Sequence, residues 1–168
     1  LDGVAYCPGS INLAPFARIK PDAFLADYQL QVTGFVRVLQ SVLPHLKKAE
    51  NSSIVLFSTV AVQNGFNFHS QVAASKGAIE GLTRALAAEL APSIRVNAIA
   101  PSLTDTPLAE KLLNKPEKKE ANALRHPLKK IGEADNIAEM ASFLLSDKSN
   151  WMTGQILHVD GGMSSIRS

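Results

Sequence analysis

Three apolar runs, residues 3–6, 54–57 and 94–100, show no alternation of apolar and polar side chains, and a fourth, 155–159, behaves similarly. A strand with one wetted face alternates with period two, so unbroken runs of this length mark strands covered on both faces. Between them lie stretches with helical patterning at 21–48, 70–90 and 134–145. Strands alternating with helices specify a parallel α/β sheet with right-handed crossovers. The chain of 168 residues is the size of one domain, and residues 1–168 contain no repeat, low-complexity segment or linker.

Charge narrows the function. A net charge of +2 with 19% charged residues gives no basic footprint for nucleic acid. Lysines do gather between Lys111 and Lys130, but Glu110, Glu117 and Glu120 interrupt them, as on a solvated helix face. The single cysteine, Cys7, excludes an internal disulfide and a cysteine-rich metal site, so no metal is expected and a reducing cytoplasm is the expected compartment. No apolar run approaches the ~18 residues of a membrane span, and no membrane partner is expected.

Six segments together carry a resemblance. They are Gly3-Val4-Ala5-Tyr6-Cys7-Pro8-Gly9, Gln31-Val32-Thr33-Gly34-Phe35, the strand 54–59, Val72-Ala73-Ala74-Ser75-Lys76 with Arg95-Val96-Asn97-Ala98-Ile99-Ala100-Pro101, and Thr153-Gly154-Gln155 through Asp160-Gly161-Gly162. In order and spacing they resemble the strand-Asn-Asn-Ala-Gly, Asn-x-x-Gly-Phe, serine-strand, Tyr-x-x-x-Lys and final-strand segments of the short-chain dehydrogenase/reductase family. The resemblance implies a three-layer, Rossmann-like, doubly wound parallel sheet. The chain opens on a strand already under way, so it reads as the C-terminal two-thirds of such a fold, with on the order of 80 residues and the glycine-rich phosphate loop expected upstream.

The resemblance also implies an oxidoreductase that passes hydride between NAD or NADP and a small-molecule carbonyl or alcohol. In the family a serine polarises the carbonyl, a tyrosine transfers the proton, a lysine lowers the tyrosine pKa and holds the nicotinamide ribose, and an asparagine anchors a relay water. Lys76 matches the lysine, but Val72 stands at the tyrosine position and has no proton to give. Thr59 falls at the serine position and keeps a hydroxyl, with Ser58 as a neighbouring stand-in. Gln31 falls at the asparagine position and keeps an amide. Among cofactor positions, Lys76, Thr106, Gly9 and Pro101 correspond to the family pattern, whereas Tyr6 and Pro8 replace residues that brace the dinucleotide, and Ser102 replaces a glycine. If that position needs φ > 0, Ser102 is strained or the loop takes another path.

Two activities remain open on these residues: a non-catalytic relative acting by binding or assembly, and an active enzyme using an atypical acid. His69, three residues before Val72, Tyr6, or a water held by Thr59 and Lys76 are the groups available as that acid. Ala73, Gly77 and Gly81 leave a bare stripe on the 70–90 helix, which either packs on the chain's own sheet or meets a second subunit. By resemblance, a homodimer or homotetramer forms through the 21–48 and 70–90 helices. Prolines 107, 116 and 127 break 106–131 into short pieces, where the resemblance places a substrate lid.

Overall fold

A computed structural model of the protein describes residues 1–166. Four parallel strands, β1 (Gly3–Tyr6), β2 (Ser52–Phe57), β3 (Ile94–Pro101) and β6 (Ile156–Val159), form one sheet in the order β1-β2-β3-β6. β1 therefore lies at an edge, paired only with β2 among the described residues. β2 is buried along nearly its whole length, which is why its sequence does not alternate.

Helices cover both faces. On one, α2 (Gly34–Leu46) and α3 (Ser70–Leu90) pack Phe35, Leu39, Leu46, Ile79, Ala87 and Leu90 against Ile54, Leu56, Val96 and Ala98. On the other, α6 (Ala134–Leu145) packs Ala141 and Leu144 against Val55 and Ile99. Odd and even residues of β2 thus enter different cores, as alternating Cβ directions require. This is the three-layer α/β fold expected from the sequence.

Polar ties fix the helices to the sheet. Ser53 Oγ donates to the Leu144 carbonyl at 2.8 Å and Ser52 Oγ to the Leu46 carbonyl at 2.6 Å. Arg95, on β3, donates to the carbonyls of Leu144, Ser146 and Ser149 and so caps the C-terminal end of α6, where carbonyls lack helical partners. At its other end α6 carries a reciprocal cap between Glu133 and Asn136. The Asp160-Gly161-Gly162 turn has φ of +61° and +87° at its glycines, and Asp160 accepts from the Gly162 and Ser164 amides.

The 21–48 helix is not one uninterrupted α-helix. It comprises α1 (Pro21–Tyr28), a π-helical turn (Gln29–Thr33) and α2. Tyr6 explains the interruption: its hydroxyl donates to the Leu30 carbonyl at 2.8 Å, and its ring lies against Phe35 with centroids 5.5 Å apart. A widened turn presents that carbonyl to a side-chain donor. The 106–131 region contains α4 (Glu110–Leu113) and α5 (Pro116–Leu124) as short exposed pieces, with Pro116 opening α5. Its flanks are joined by a small parallel ladder absent from the sequence reading, β4 (Thr104–Asp105) with β5 (Gly132–Glu133).

Candidate active site

The site lies where the β1 and β2 ends meet α3 and the π turn. Lys76 projects from α3, and its ammonium donates to the Phe57 carbonyl at 2.8 Å. Burial pushes its pKa down to about 8, opposed in part by Asp27 and Cys7. Val72, one turn earlier on the same helix face, is buried.

Gln31, in the π turn, is 1% exposed. Its Nε2 donates to Asp27 Oδ1 at 2.8 Å, while its Oε1 has no partner. Asp27 is the functional candidate that sequence reasoning missed. It is buried on α1 and also accepts from the hydroxyls of Ser10 and Ser75. The available signal was its i, i+4 spacing to Gln31, which puts an acid and an amide on one inward helix face. Three donors thus converge on one buried carboxylate.

The two hydroxyl candidates separate cleanly. Ser58 is turned into the protein, donating to Glu80 Oε1 at 2.7 Å, and does not stand in for the site hydroxyl. Thr59 is half-buried at the start of the Val60–Val62 turn, where its Oγ1 accepts from the Ala61 amide at 3.3 Å. That bond uses the oxygen and leaves the hydroxyl proton available.

Both side chains considered as substitute acids are placed elsewhere. Tyr6, expected to face the cleft, instead inserts toward Phe35, because even-numbered β1 residues face the α2/α3 core; burial pushes its phenol up. His69 precedes α3, with Nδ1 donating to the Asn67 carbonyl at 2.7 Å and its ring 5.4 Å from that of Phe66.

Of the remaining expected cofactor positions, Gly9 lies beside Gln31 and Lys76. Pro101 ends β3, opposite Val159. Thr106 begins the Pro107–Ala109 turn, its hydroxyl 3.5 Å from the Thr104 carbonyl. Ser102 does not have positive φ, so its loop takes an unstrained path. Its hydroxyl donates to Nε2 of buried His126 at 2.8 Å, a tautomer set by Nδ1 donating to the Asn122 carbonyl at 2.9 Å. That bond pins the loop after β3 to the segment following α5.

Lys76, through the Phe57 carbonyl, and Thr59, two residues further on, are thus both placed at the C-terminal end of β2 in a three-layer α/β sheet. The chain belongs to the short-chain dehydrogenase/reductase family: residues 1–164 match the family described as enoyl-(acyl carrier protein) reductase. It is 40% identical over 152 residues to the 3-oxoacyl-(acyl-carrier-protein) reductase of Thermotoga maritima, covering 89% of this chain and 61% of that protein. It is 35% identical to L-xylulose reductase of Bos taurus, covering 89% of this chain and 62% of that protein. A gluconate 5-dehydrogenase from Burkholderia cenocepacia, solved with NADP and tartrate, superposes with a TM-score of 0.92 at 28% identity, covering 99% of this chain and 66% of that one. The chain thus spans less than two-thirds of the length of these relatives.

Proposed function

We propose that this chain is a short-chain dehydrogenase/reductase homologue in which the standard tyrosine-lysine proton transfer is disabled. The observation that carries this reading is buried Val72 one helical turn before Lys76, whose ammonium instead donates to the Phe57 carbonyl. Without a phenol between lysine and substrate oxygen, the alkoxide formed by hydride addition has no matched donor. Substitution Val72→Tyr tests the reading: NAD(P)H-dependent reduction of a ketone appears or rises sharply in the variant. Failure of a well-folded variant to gain activity counts against it.

The residues present fit the nicotinamide-ribose end of NAD or NADP. Gln31 Oε1 is an orphaned acceptor and the Lys76 amine a donor, as a ribose diol requires, and both border the same space beside Gly9. The dinucleotide supplies the hydride when bound; Thr59 offers a hydroxyl to a carbonyl, and Thr106 lies on the loop after β3. Binding by this chain is supported by the bound NADP of the Burkholderia relative. The substrate class under this reading is a small carbonyl compound or alcohol.

A second reading, an active enzyme with an atypical acid, draws on Lys76 itself. An ammonium titrating at about 8 is closer to working pH than an ordinary lysine, so it can protonate through a water shared with Thr59. Assembly as a homodimer or homotetramer through the 21–48 and 70–90 helices, and a cytoplasmic location, belong to the same proposal. The bare helix stripe supports the first, since Gly81 has no neighbour within 4 Å of its Cβ position. Among the described residues no helix is long and apolar enough to cross a membrane.

A further inference from the structure

Gly9 follows β1 in the turn that faces α3, and the point where its Cβ would stand is bounded by two polar atoms, Gln31 Oε1 at 3.5 Å and Lys76 Nζ at 3.6 Å. Because glycine has no side chain, nothing from this residue comes between the turn and those two polar atoms, and both are left uncovered on that side. Gln31 is buried and its amide nitrogen is committed to Asp27, leaving an oxygen without a donor. Such an orphan is costly inside a protein, and a ligand hydroxyl would satisfy it.

Lys76 is set up differently from every other lysine of the chain, all of which are exposed. Among the described residues it forms no ion pair. Asp27 is already occupied by Ser10, Gln31 and Ser75, and Glu80, one turn along α3, by Ser58 and Arg84. Cys7 is an exposed thiol. One N–H is held by the Phe57 carbonyl, which orients the amine. Desolvated lysines without a tightly paired carboxylate are the ones that become nucleophiles.

We propose that Lys76 is a carbonyl-capturing amine, with Gly9 leaving the space for a small aldehyde or ketone and Gln31 Oε1 receiving the hydroxyl of the first adduct. The neutral Nζ attacks the carbonyl carbon, forming a C–N bond while the π pair moves to oxygen. A proton moves from nitrogen to that oxygen, giving a carbinolamine whose hydroxyl donates to Gln31 Oε1. Loss of that hydroxyl as water, with the remaining N–H proton, gives the imine. No redox change occurs and no dinucleotide takes part, so the inference stands or falls separately from hydride transfer. Titration at about 8 agrees with it: about a tenth of the amine is neutral at pH 7, against well under a thousandth for an ordinary lysine.

The test uses the intact protein with dihydroxyacetone as probe, borohydride quenching to fix imines as secondary amines, and peptide mass spectrometry to locate them. The exposed lysines are the internal reference. Lys76 is expected to be trapped at least ~10-fold faster than any of them at pH 7. Gly9→Ala, which fills the space, and Lys76→Arg each abolish the adduct at position 76, and Gln31→Leu slows it ~10-fold. Trapping of exposed lysines as fast as Lys76, or an unmodified Lys76 in the native protein, would overturn the proposal irrespective of how the variants fold.

Discussion

The hydroxyl of Tyr6 stands 2.6 Å from where a Cβ on Gly34 would be, so the strand residue and the helix residue occupy one another's only room. The same hydroxyl holds the Leu30 carbonyl that the π turn presents. Gly34→Ala is therefore expected to destabilise by about 2–3 kcal/mol through overpacking. Tyr6→Phe alone should cost about 1 kcal/mol for the lost hydrogen bond. Combined, the two should cost less than their sum, because the phenylalanine lacks the clashing atom. Denaturant titration of the four proteins measures that coupling, and strict additivity would contradict the contact.

In the Val72→Tyr background, Thr59 rather than Ser58 is expected to polarise the carbonyl beside the introduced phenol, since Ser58 is given to Glu80. Thr59→Ala in that background should lower kcat by ~10²–10³ with little change in KM. Ser58→Ala should lower stability by about 1–3 kcal/mol and leave the gained activity largely intact. His69→Ala should leave turnover unchanged.

Lys76 makes stability depend on pH in an unusual direction. Its folded pKa of about 8 lies below the ordinary 10.5, so between those values the unfolded chain holds a proton that the folded chain has shed. Stability contributed by this group therefore rises as pH increases from about 8 to 10.5, by up to about 3 kcal/mol. Below pH 8 the charged amine is a constant burden. Lys76→Met should be more stable at pH 7 and should lose this rise. Chemical denaturation across that window, compared between the two proteins, measures the difference.

Asp27 holds three donors, two of them on the buried residues Gln31 and Ser75, and removing it leaves them unpaired. Asp27→Leu is expected to cost about 3–5 kcal/mol. Asp27→Asn, which keeps shape but loses charge, should cost less and should lower the Lys76 pKa further, because the carboxylate now props it up. NMR titration of the lysine side chain reads that shift; an unchanged value would show that Asp27 does not sense the amine.

Arg95 secures the end of α6 through three backbone carbonyls and the Ser149 hydroxyl. Arg95→Lys cannot reproduce the planar fork, so a loss of about 1–3 kcal/mol is expected. Hydrogen exchange at the C-terminal turn of α6 should accelerate in that variant before the rest of the sheet opens.

The layered sheet was legible because strand burial and helix packing act over many residues at once. Strand and helix limits at residues 3–6, 70–90 and 134–145 coincide with β1, α3 and α6. The π turn was not legible, since it arises from one long-range bond between Tyr6 and Leu30, and linear patterning carries no trace of a partner 24 residues away. Thr59, Gln31, Lys76 and Val72 are candidates by register against the family pattern. Asp27 was missed because its role depends on Ser10 and Ser75 arriving from other segments; for Ser102 the loop takes the other of the two paths left open, and the side-chain partner His126 was not foreseen. Side-chain convergence of this kind is set by the third dimension.

The position of β1 at the border of the sheet leaves its outward backbone amides and carbonyls without a strand to bond among the described residues. Such a rim is adhesive toward any extended segment that approaches it. A segment laid along it would bond to the groups of Gly3–Tyr6 that point away from β2.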